Sequence, residues 1–138
     1  MDKHFTLEIV TPIRTLQFED VQYLRAPSLE GLFGIMPGHA PLLSGIKPGP
    51  VKLVLEGGDE EIFFASGGFI EVQPDTITLL SDVAIRAEDI DEEQAEKARE
   101  QAEKIRDNAD SDLDFSRARA ELAEAAARLQ TLRKMRKK

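Results

Sequence analysis

The sequence predicts an α+β protein, in which an N-terminal antiparallel β-sandwich (residues 1–87) precedes a C-terminal antiparallel hairpin of two helices (residues 88–138). All nine glycines and all seven prolines lie within the first 74 residues, whereas most alanines follow residue 83. Glycine and proline interrupt helices and alanine favours them, so the chain changes character at 86–91. Apolar residues alternate before this boundary and recur every three or four positions after it.

The first half is predicted to consist of short strands. Phe5, Leu7 and Ile9 alternate with polar residues, which indicates one buried face. A second strand extends from Leu16 to Tyr23 and is predicted to carry an irregularity at Glu19–Asp20.

Two tight turns organise the remaining strands. Gly57 and Gly58 separate the apolar segments 51–55 and 61–65, and glycine adopts the positive φ angles that hairpin turns require. Segments 69–72 and 76–80 flank a second predicted turn at 73–75. Short strands at this spacing indicate a sandwich or a flattened barrel.

The second half is predicted to form two helices with recognisable beginnings. Asp91 can cap the first helix together with Gln94, and Ser111 or Asp112 can cap the second after a polar break. The spacing of the apolar stripes predicts an antiparallel pair. The first stripe comprises Ala95, Ala98, Ala102 and Ile105, and the second comprises Phe115, Ala118, Leu122, Ala125, Leu129 and Leu132.

Alanine occupies half of these stripe positions. An alanine methyl contributes about 0.8 kcal/mol on burial, against about 1.5–3 kcal/mol for a leucine or phenylalanine side chain. The hairpin is therefore expected to be weakly held. Close packing of two helices is the simpler interpretation of this composition, and a hairpin that opens as a switch is the alternative.

The last helix ends in a basic segment. Residues 128–138 hold six basic residues and no acidic one. Cations stabilise the negative end of a helix dipole, and they also attract an acidic partner. The segment alone does not separate these two interpretations.

Composition excludes several classes of function. The formal net charge of −8 over 138 residues argues against general nucleic-acid binding. The absence of cysteine excludes disulfides and thiolate metal sites, and two histidines cannot build a His-rich metal site. There is no apolar run of membrane-spanning length and no signal-peptide pattern, so a soluble, intracellular protein is expected.

No catalytic residue is predicted. Ser66 precedes two glycines but lies between apparent strands, without the strand-to-helix turn of a nucleophile elbow. There is no phosphate-binding loop. His39 lies in a loop that proline and glycine make rigid, where a contact role is expected rather than a catalytic one.

Four segments together resemble the epsilon subunit of bacterial and chloroplast F-type ATP synthases. The resemblance covers essentially the whole chain in order. The segments read Glu-Gly-Leu-Phe-Gly-Ile-Met-Pro-Gly-His-Ala-Pro-Leu-Leu at 30–43, Ile-Lys-Pro-Gly at 46–49, Ser-Gly-Gly-Phe-Ile-Glu-Val at 66–72, and Ile77 through Asp91.

The resemblance implies a non-catalytic rotor subunit on the cytoplasmic face of the bacterial plasma membrane. Its sandwich would bind the central stalk subunit gamma and the membrane-embedded ring of c subunits, coupling ion flow to ATP synthesis. The implied c-ring contacts are Ser28, Leu29, Glu30, Gly31, Leu32 and Phe33. The implied gamma contacts are His39, Ala40, Pro41 and Leu42.

The resemblance also implies that the helical hairpin inhibits ATP hydrolysis. In many bacterial relatives the hairpin leaves the sandwich and enters the α/β catalytic head, where its basic helix meets an acidic segment. The residues implied in that contact are Arg128, Arg133, Lys134 and Arg136.

Some relatives bind ATP on the folded hairpin. Asp91 and Arg128 match positions of that nucleotide site, but Gln94 and Gln101 stand where those relatives carry arginines. Two missing guanidinium groups remove most of the bidentate phosphate contacts. No cofactor and no metal are expected, and ATP binding is predicted to be weak or absent. A chaperone or adaptor with helical arms, or a nucleotide-sensing domain, remain the alternative functions.

Overall fold

The computed structural model of the protein describes residues 4–29, 31–38 and 41–136. This part of the chain forms nine strands, a short 3₁₀ turn at Ala87–Asp89 and two helices. The strands are β1 (Phe5–Val10), β2 (Thr15–Ser28), β3 (Gly31–Ile35), β4 (Leu42–Ile46), β5 (Gly49–Leu55), β6 (Glu60–Ala65), β7 (Gly68–Val72), β8 (Thr76–Leu80) and β9 (Ala84–Arg86). The helices are α1 (Glu92–Asp107) and α2 (Asp112–Arg136).

The long strand β2 connects the parts of the sheet. Its first half pairs with β1, and Leu24 in its second half lies between Ile35 of β3 and Leu53 of β5. The sheet order is β1-β8-β7-β4-β2-β5-β6-β9, and the β1–β2 pairing closes the first part on itself. The β-sandwich followed by two helices confirms the predicted fold class.

One strand pair departs from the antiparallel pattern. Strand β1 pairs with β8 in parallel, with Thr6 opposite Thr76, whereas the other pairs in the described residues are antiparallel. Parallel neighbours need a long connection, and here the six strands between β1 and β8 supply it.

The irregularity predicted in the second strand is confirmed. Leu7 pairs with Phe18 and Phe5 pairs with Val21, so β2 carries one extra residue at Glu19–Asp20. The predicted turns are also confirmed. Gly57 and Gly58 have φ angles of 95° and 92°, and β7 and β8 form a hairpin.

The sandwich core consists of the inward-facing residues of alternating strands. Leu7, Leu24 and Phe63 are fully buried in one apolar cluster. The Phe18 ring packs edge-on against Phe63, with 5.7 Å between the ring centroids. This cluster contains no residue of α1 or α2, so the core of the sandwich is complete without the hairpin.

Both predicted helix caps are confirmed. The Asp91 carboxylate accepts a hydrogen bond from the Gln94 amide at 3.0 Å, and the Ser111 hydroxyl accepts one from the Asp114 amide at 3.1 Å. None of the helices in the described ranges is long and apolar enough to cross a membrane.

The helix seam is shorter than the predicted stripes. Its buried members include Ala95, Ala102, Ala118 and Ala125. The prediction was wrong for three others, because Ala98, Ile105 and Phe115 are exposed. Ile105 and Phe115 lie beside the connection between the helices, where the seam ends. Ala98 lines a groove between the helices.

Helix α2 buries a second face, of which the predicted stripe included Leu132 but not Ala127 or Thr131. Ala127 and Leu132 pack with Phe64 of β6 and Ile90, and Thr131 is fully buried on the same helix. The Thr131 hydroxyl donates to the Ala127 carbonyl at 2.8 Å, which satisfies its polar group without a partner from the sandwich. We call the apolar contact of Ala127 and Leu132 with Phe64 and Ile90 the docking cluster. It holds the hairpin against the sandwich.

Candidate functional site

The sandwich exposes an apolar patch on the outer face of β4, β7 and β8. Phe69 of β7 lies opposite Leu80 of β8. Leu43 of β4 pairs with Glu71, two residues beyond Phe69 on the same face of the sheet. Leu43, Phe69 and Leu80 are 68%, 57% and 47% exposed. Large side chains in adjacent outward positions mark an interaction surface. We call these three residues, with Leu29, the outer-face patch.

Leu29 joins this patch through a close approach to Gly45 of β4. A Cβ atom at Gly45 would lie 2.6 Å from the Leu29 Cδ1 atom, so a side chain at position 45 would displace the leucine from this place. The Leu29 amide donates to the Gly45 carbonyl at 3.0 Å, which fixes the turn after β2. Leu29 itself is 71% exposed.

The implied c-ring residues lie on and after the end of β2. Ser28 ends the strand and is buried, Leu29 is exposed in the turn, and Gly31 begins β3 with a φ of 131°. Leu32 and Phe33 belong to β3 and pair with Pro27 and Ala26 of β2. Glu30 lies outside the described residues.

The implied gamma residues lead into β4. Pro41 is exposed just before the strand, and Leu42 begins it opposite Val72. His39 and Ala40 lie outside the described residues. Because β4 also carries Gly45 beneath Leu29, this strand brings the two implied contact sets together.

Sequence reasoning missed Leu43, Phe69 and Leu80 as candidate site residues. The signal was present in the strand pattern. Phe69 precedes Ile70-Glu71-Val72, and a strand with Ile70 and Val72 buried places Phe69 and Glu71 on the other face. An aromatic residue at an outward position is the exception that points to a partner.

The basic end of α2 is partly neutralised in this conformation. Arg128 donates to Glu124 at 3.2 Å, and its guanidinium lies 5.0 Å from the centre of the Phe64 ring. Arg136 makes an ion pair with Glu92 at the start of α1. The hydrogen bond and the charge of Arg136 lower the pKa of the Glu92 carboxyl, and the same contact raises the pKa of Arg136.

The remaining two implied inhibitory residues lie differently. Arg133 and Lys134 are exposed and form no ion pair with any residue that the structure describes. The structure thus divides the four cations into two that are held by acidic partners and two that are available.

Of the two implied nucleotide residues, Arg128 lines a groove between α1 and α2 of about 280 Å³, and Asp91 is not among the described residues that line it. Arg128 lines it opposite Gln94 and Gln101, together with the carboxylates of Glu121 and Glu124. Asp91 caps α1. One cation among two acidic residues suits a triphosphate poorly, so the groove favours the prediction of weak or absent ATP binding. Across the described ranges, no cluster of three or more His, Asp or Glu residues could hold a metal.

Comparison with protein families gives two matches. Residues 4–87 match the model described as the beta-sandwich domain of the ATP synthase delta/epsilon chain. Residues 88–133 match the long alpha-helix domain of the same chain.

Two curated relatives are similar over most of their length. The ATP synthase epsilon chain of Chromohalobacter salexigens is 47% identical over 134 residues, covering 97% of this chain and 95% of the relative. The ATP synthase epsilon chain of Teredinibacter turnerae is 51% identical over 119 residues, covering 86% and 84%.

Two solved structures share the fold. A chain of the Euglena gracilis mitochondrial ATP synthase, in a structure of OSCP, F1 and c-ring, superposes with a TM-score of 0.84 at 21% identity, covering 92% of this chain and 80% of that chain. A chain of the Tetrahymena thermophila mitochondrial ATP synthase central stalk and c-ring gives 0.70 at 17% identity, covering 95% and 97%.

Proposed function

The chain belongs to the ATP synthase delta/epsilon chain family, and from this we propose that it is a rotor subunit in the central stalk of a rotary ATP synthase. The observation that carries the proposal is the 47% identity to an epsilon chain over 97% of this chain, since it includes both the sandwich and the helices. The subunit is non-catalytic and works at the cytoplasmic face of the bacterial plasma membrane as part of the complex.

In this proposal the outer-face patch is the coupling surface. Its apolar side chains include Leu29, in the turn after β2, and Leu43, in the strand that begins at Leu42. The turn at 28–33 contacts the c-ring, and the segment 39–42 contacts gamma. Two contacts supported by one strand would move as one body, which suits a part that transmits torque.

The hairpin is proposed to inhibit ATP hydrolysis when it leaves the sandwich. The docking cluster is small, and the seam between the helices is made largely of alanine. Both features lower the free energy needed for release. Released α2 would present Arg128, Arg133, Lys134 and Arg136 to an acidic segment of the catalytic head.

Charge reversal in the reconstituted complex tests this function. The triple change Arg133→Glu, Lys134→Glu and Arg136→Glu should raise ATP hydrolysis by about tenfold, a usual size for conformational coupling between two sites. The matched control reverses Arg117 and Arg119, which are exposed near the start of α2. Unchanged inhibition at both low and moderate salt would contradict the inhibitory role.

Co-purification tests the stalk assignment against the adaptor alternative. A stalk subunit should elute with gamma and the catalytic head after mild membrane extraction. Elution of the chain free of both would contradict the stalk assignment, whatever the hairpin does.

A further inference from the structure

Strand β3 lies between the two segments that carry the proposed contacts. The turn at 28–33 includes its first residue, Gly31, and the segment 39–42 follows shortly after its last residue, Ile35. Because both segments are continuous with β3, a displacement of this strand would move them together. The position of β3 on the sandwich therefore decides whether both contacts can form at once.

Strand β3 has a partner on one side. Among the strands that the structure describes it pairs with β2 alone. On the inner face Ile35 is fully buried in the sandwich core. On the outer face Gly34 lies opposite Arg25 and has no side chain with which to pack. A glycine inside a strand weakens it, so the outer side of β3 depends on what a neighbouring residue supplies.

The Tyr23 side chain covers Gly34 from the neighbouring strand. A Cβ atom at Gly34 would lie 2.7 Å from the Tyr23 Cε1 atom and 2.8 Å from its Cζ atom, so the ring fills the space that a side chain at position 34 would take. Tyr23 is diagonal to Gly34 in the pairing of β2 with β3, a separation that an aromatic side chain can reach. A ring placed over a glycine of the adjacent strand compensates for the missing side chain.

The ring of Tyr23, more than its hydroxyl, carries this contact. The Arg25 Nε atom donates to the Tyr23 hydroxyl from the next position on the same face of β2, but the distance of 3.4 Å makes this a weak hydrogen bond. On the other side of β2, Val54 of β5 lies opposite Tyr23. A change of Tyr23 to phenylalanine would therefore keep the contact with β3, and a change to alanine would remove it.

On the basis of the function proposed above for the segments 28–33 and 39–42, we propose that Tyr23 is a positioning residue for both contacts. Its ring holds β3 against β2, and β3 keeps the two segments in a fixed relation to each other. Tyr23 acts through Gly34 and needs no contact with a partner subunit. A subunit that transmits torque requires such support, because a strand that opens locally would let one contact move without the other.

A double-mutant cycle in the purified full chain tests the contact between Tyr23 and Gly34. Tyr23→Ala should accelerate amide hydrogen exchange in β3 by about tenfold, a usual size for the loss of contact between neighbouring residues. Gly34→Ala should displace the ring and have a similar effect. Gly34 is not among the glycines with a positive φ, so alanine is compatible with its backbone. In the Tyr23→Ala chain, Gly34→Ala should therefore cause no further acceleration.

Two control variants separate the ring from its surroundings. Tyr23→Phe keeps the ring over Gly34, and Val54→Ala shortens the neighbour of Tyr23 on the side of β5. Both should exchange in β3 as the native chain does. Additive effects of Tyr23→Ala and Gly34→Ala, or native exchange in Tyr23→Ala, would overturn the proposal. This measurement uses no other subunit, so its outcome is independent of the stalk assignment.

Ion pumping by a synthase complex depleted of this subunit and supplied with each variant tests the positioning role. With Tyr23→Ala, fewer ions should be pumped per ATP hydrolysed although the chain still co-purifies with the complex, and Tyr23→Phe should restore native pumping. A merely structural role would lower the unfolding temperature of the chain and leave pumping below that temperature unchanged. Native pumping with Tyr23→Ala would therefore overturn the proposal, whereas a native chain that restores no pumping would overturn the stalk assignment.

Discussion

At Gly68 the backbone of β7 passes too close to the end of β8 for any side chain to fit. Its φ of 132° lies where L-residues are strained, and a Cβ atom there would collide with the Leu80 carbonyl oxygen. Gly57 has a φ of 95° but open space around its Cα. A comparison of alanine substitutions at these two positions therefore separates the cost of backbone conformation from the cost of a steric clash.

Gly68→Ala is expected to lower the free energy of unfolding by about 3 kcal/mol, because strain and overlap add at this position. Gly57→Ala should lower it by about 1 kcal/mol, from conformation alone. Urea denaturation followed by circular dichroism measures both. If the two variants lost the same free energy of unfolding, the clash between the new Cβ atom and the Leu80 carbonyl oxygen would be relieved by a shift that costs nothing.

At the scale of an element, α2 is fastened by different forces at different points. The docking cluster holds it through apolar contacts, and Thr131 is accommodated because its hydroxyl bonds within the helix. At its C-terminal end the ion pair between Arg136 and Glu92 ties α2 to the start of α1. The apolar contacts do not titrate and are not screened by ions, whereas the ion pair is exposed and screened.

Leu132→Ala should weaken hairpin docking by about 3 kcal/mol while leaving the sandwich intact, because the residue lies in the docking cluster and outside the main core. Faster amide exchange confined to α2 and α1 is the expected result. Leu113→Ala removes an exposed leucine near the other end of α2 and should change nothing. Loss of protection throughout the strands would contradict the separation of the two clusters.

Acidification should loosen the hairpin through Glu92. Arg136 holds the pKa of this carboxyl below its ordinary value of 4.5, so the ion pair contributes fully above that pH. Its contribution disappears as the pH falls through the lowered pKa. The protection of amides in the last turn of α2, measured against their intrinsic exchange rates at each pH, should therefore fall at acidic pH in the native chain.

The variant Glu92→Gln should lose that pH dependence and exchange faster at neutral pH as well, while added salt should reduce its difference from the native chain. Glu100→Gln, an exposed position in the middle of α1, provides the control. A native pH profile in Glu92→Gln would mean that another group controls the end of the hairpin.

At the scale of the whole molecule, the outer-face patch and the docked hairpin involve different strands of the sandwich. The patch lies on β4, β7 and β8, whereas α2 packs against β5 and β6. A change in one region can therefore be assayed without disturbing the other. This separation suits a subunit that remains attached to its partners while its hairpin moves.

Phe69→Glu should weaken binding to the stalk partners by about tenfold or more, since a buried aromatic anchor commonly contributes at least 2 kcal/mol to an interface. Co-purification and titration with gamma measure this loss. Leu113→Glu places the same charge at an exposed leucine on the hairpin and should leave binding unchanged. Normal binding by Phe69→Glu would exclude the patch from the interface.

Local chemistry made much of the fold predictable. Asp91 and Ser111 form the expected caps, and Gly57 and Gly58 form the expected turn, because each depends on a few neighbouring residues. The parallel pairing of β1 with β8 was not predicted, since it depends on residues seventy positions apart. Ala127 and Thr131 of α2 were missed for the same reason, because their role shows only beside the sandwich.

The candidate site was also predictable only where it depends on residues that are neighbours in the sequence. Leu29 and Leu42 came from motifs, whereas the neighbourhood of Leu43, Phe69 and Leu80 requires the strand register. The cleft between the sandwich and α2 could not be predicted either, because its basic lining residues Arg25, Lys47, Lys52, Arg133 and Lys134 come from β2, the turn before β5, β5 and α2. Sequence identified the basic end of α2, and only the fold shows which of its charges face the sandwich.

The parallel pair of β1 and β8 also constrains how the chain is made. During synthesis β1 emerges early, but its partner β8 follows about seventy residues later. Until then one side of β1 has open hydrogen-bonding groups, which invite pairing with another nascent chain. Pairing of β1 with β8 therefore requires that Leu80 has been synthesised, and the hairpin, which follows in the chain, can dock only after that. If synthesis stopped before β8, the released chain would expose the unpaired edge of β1, and chaperones and proteases would act on it.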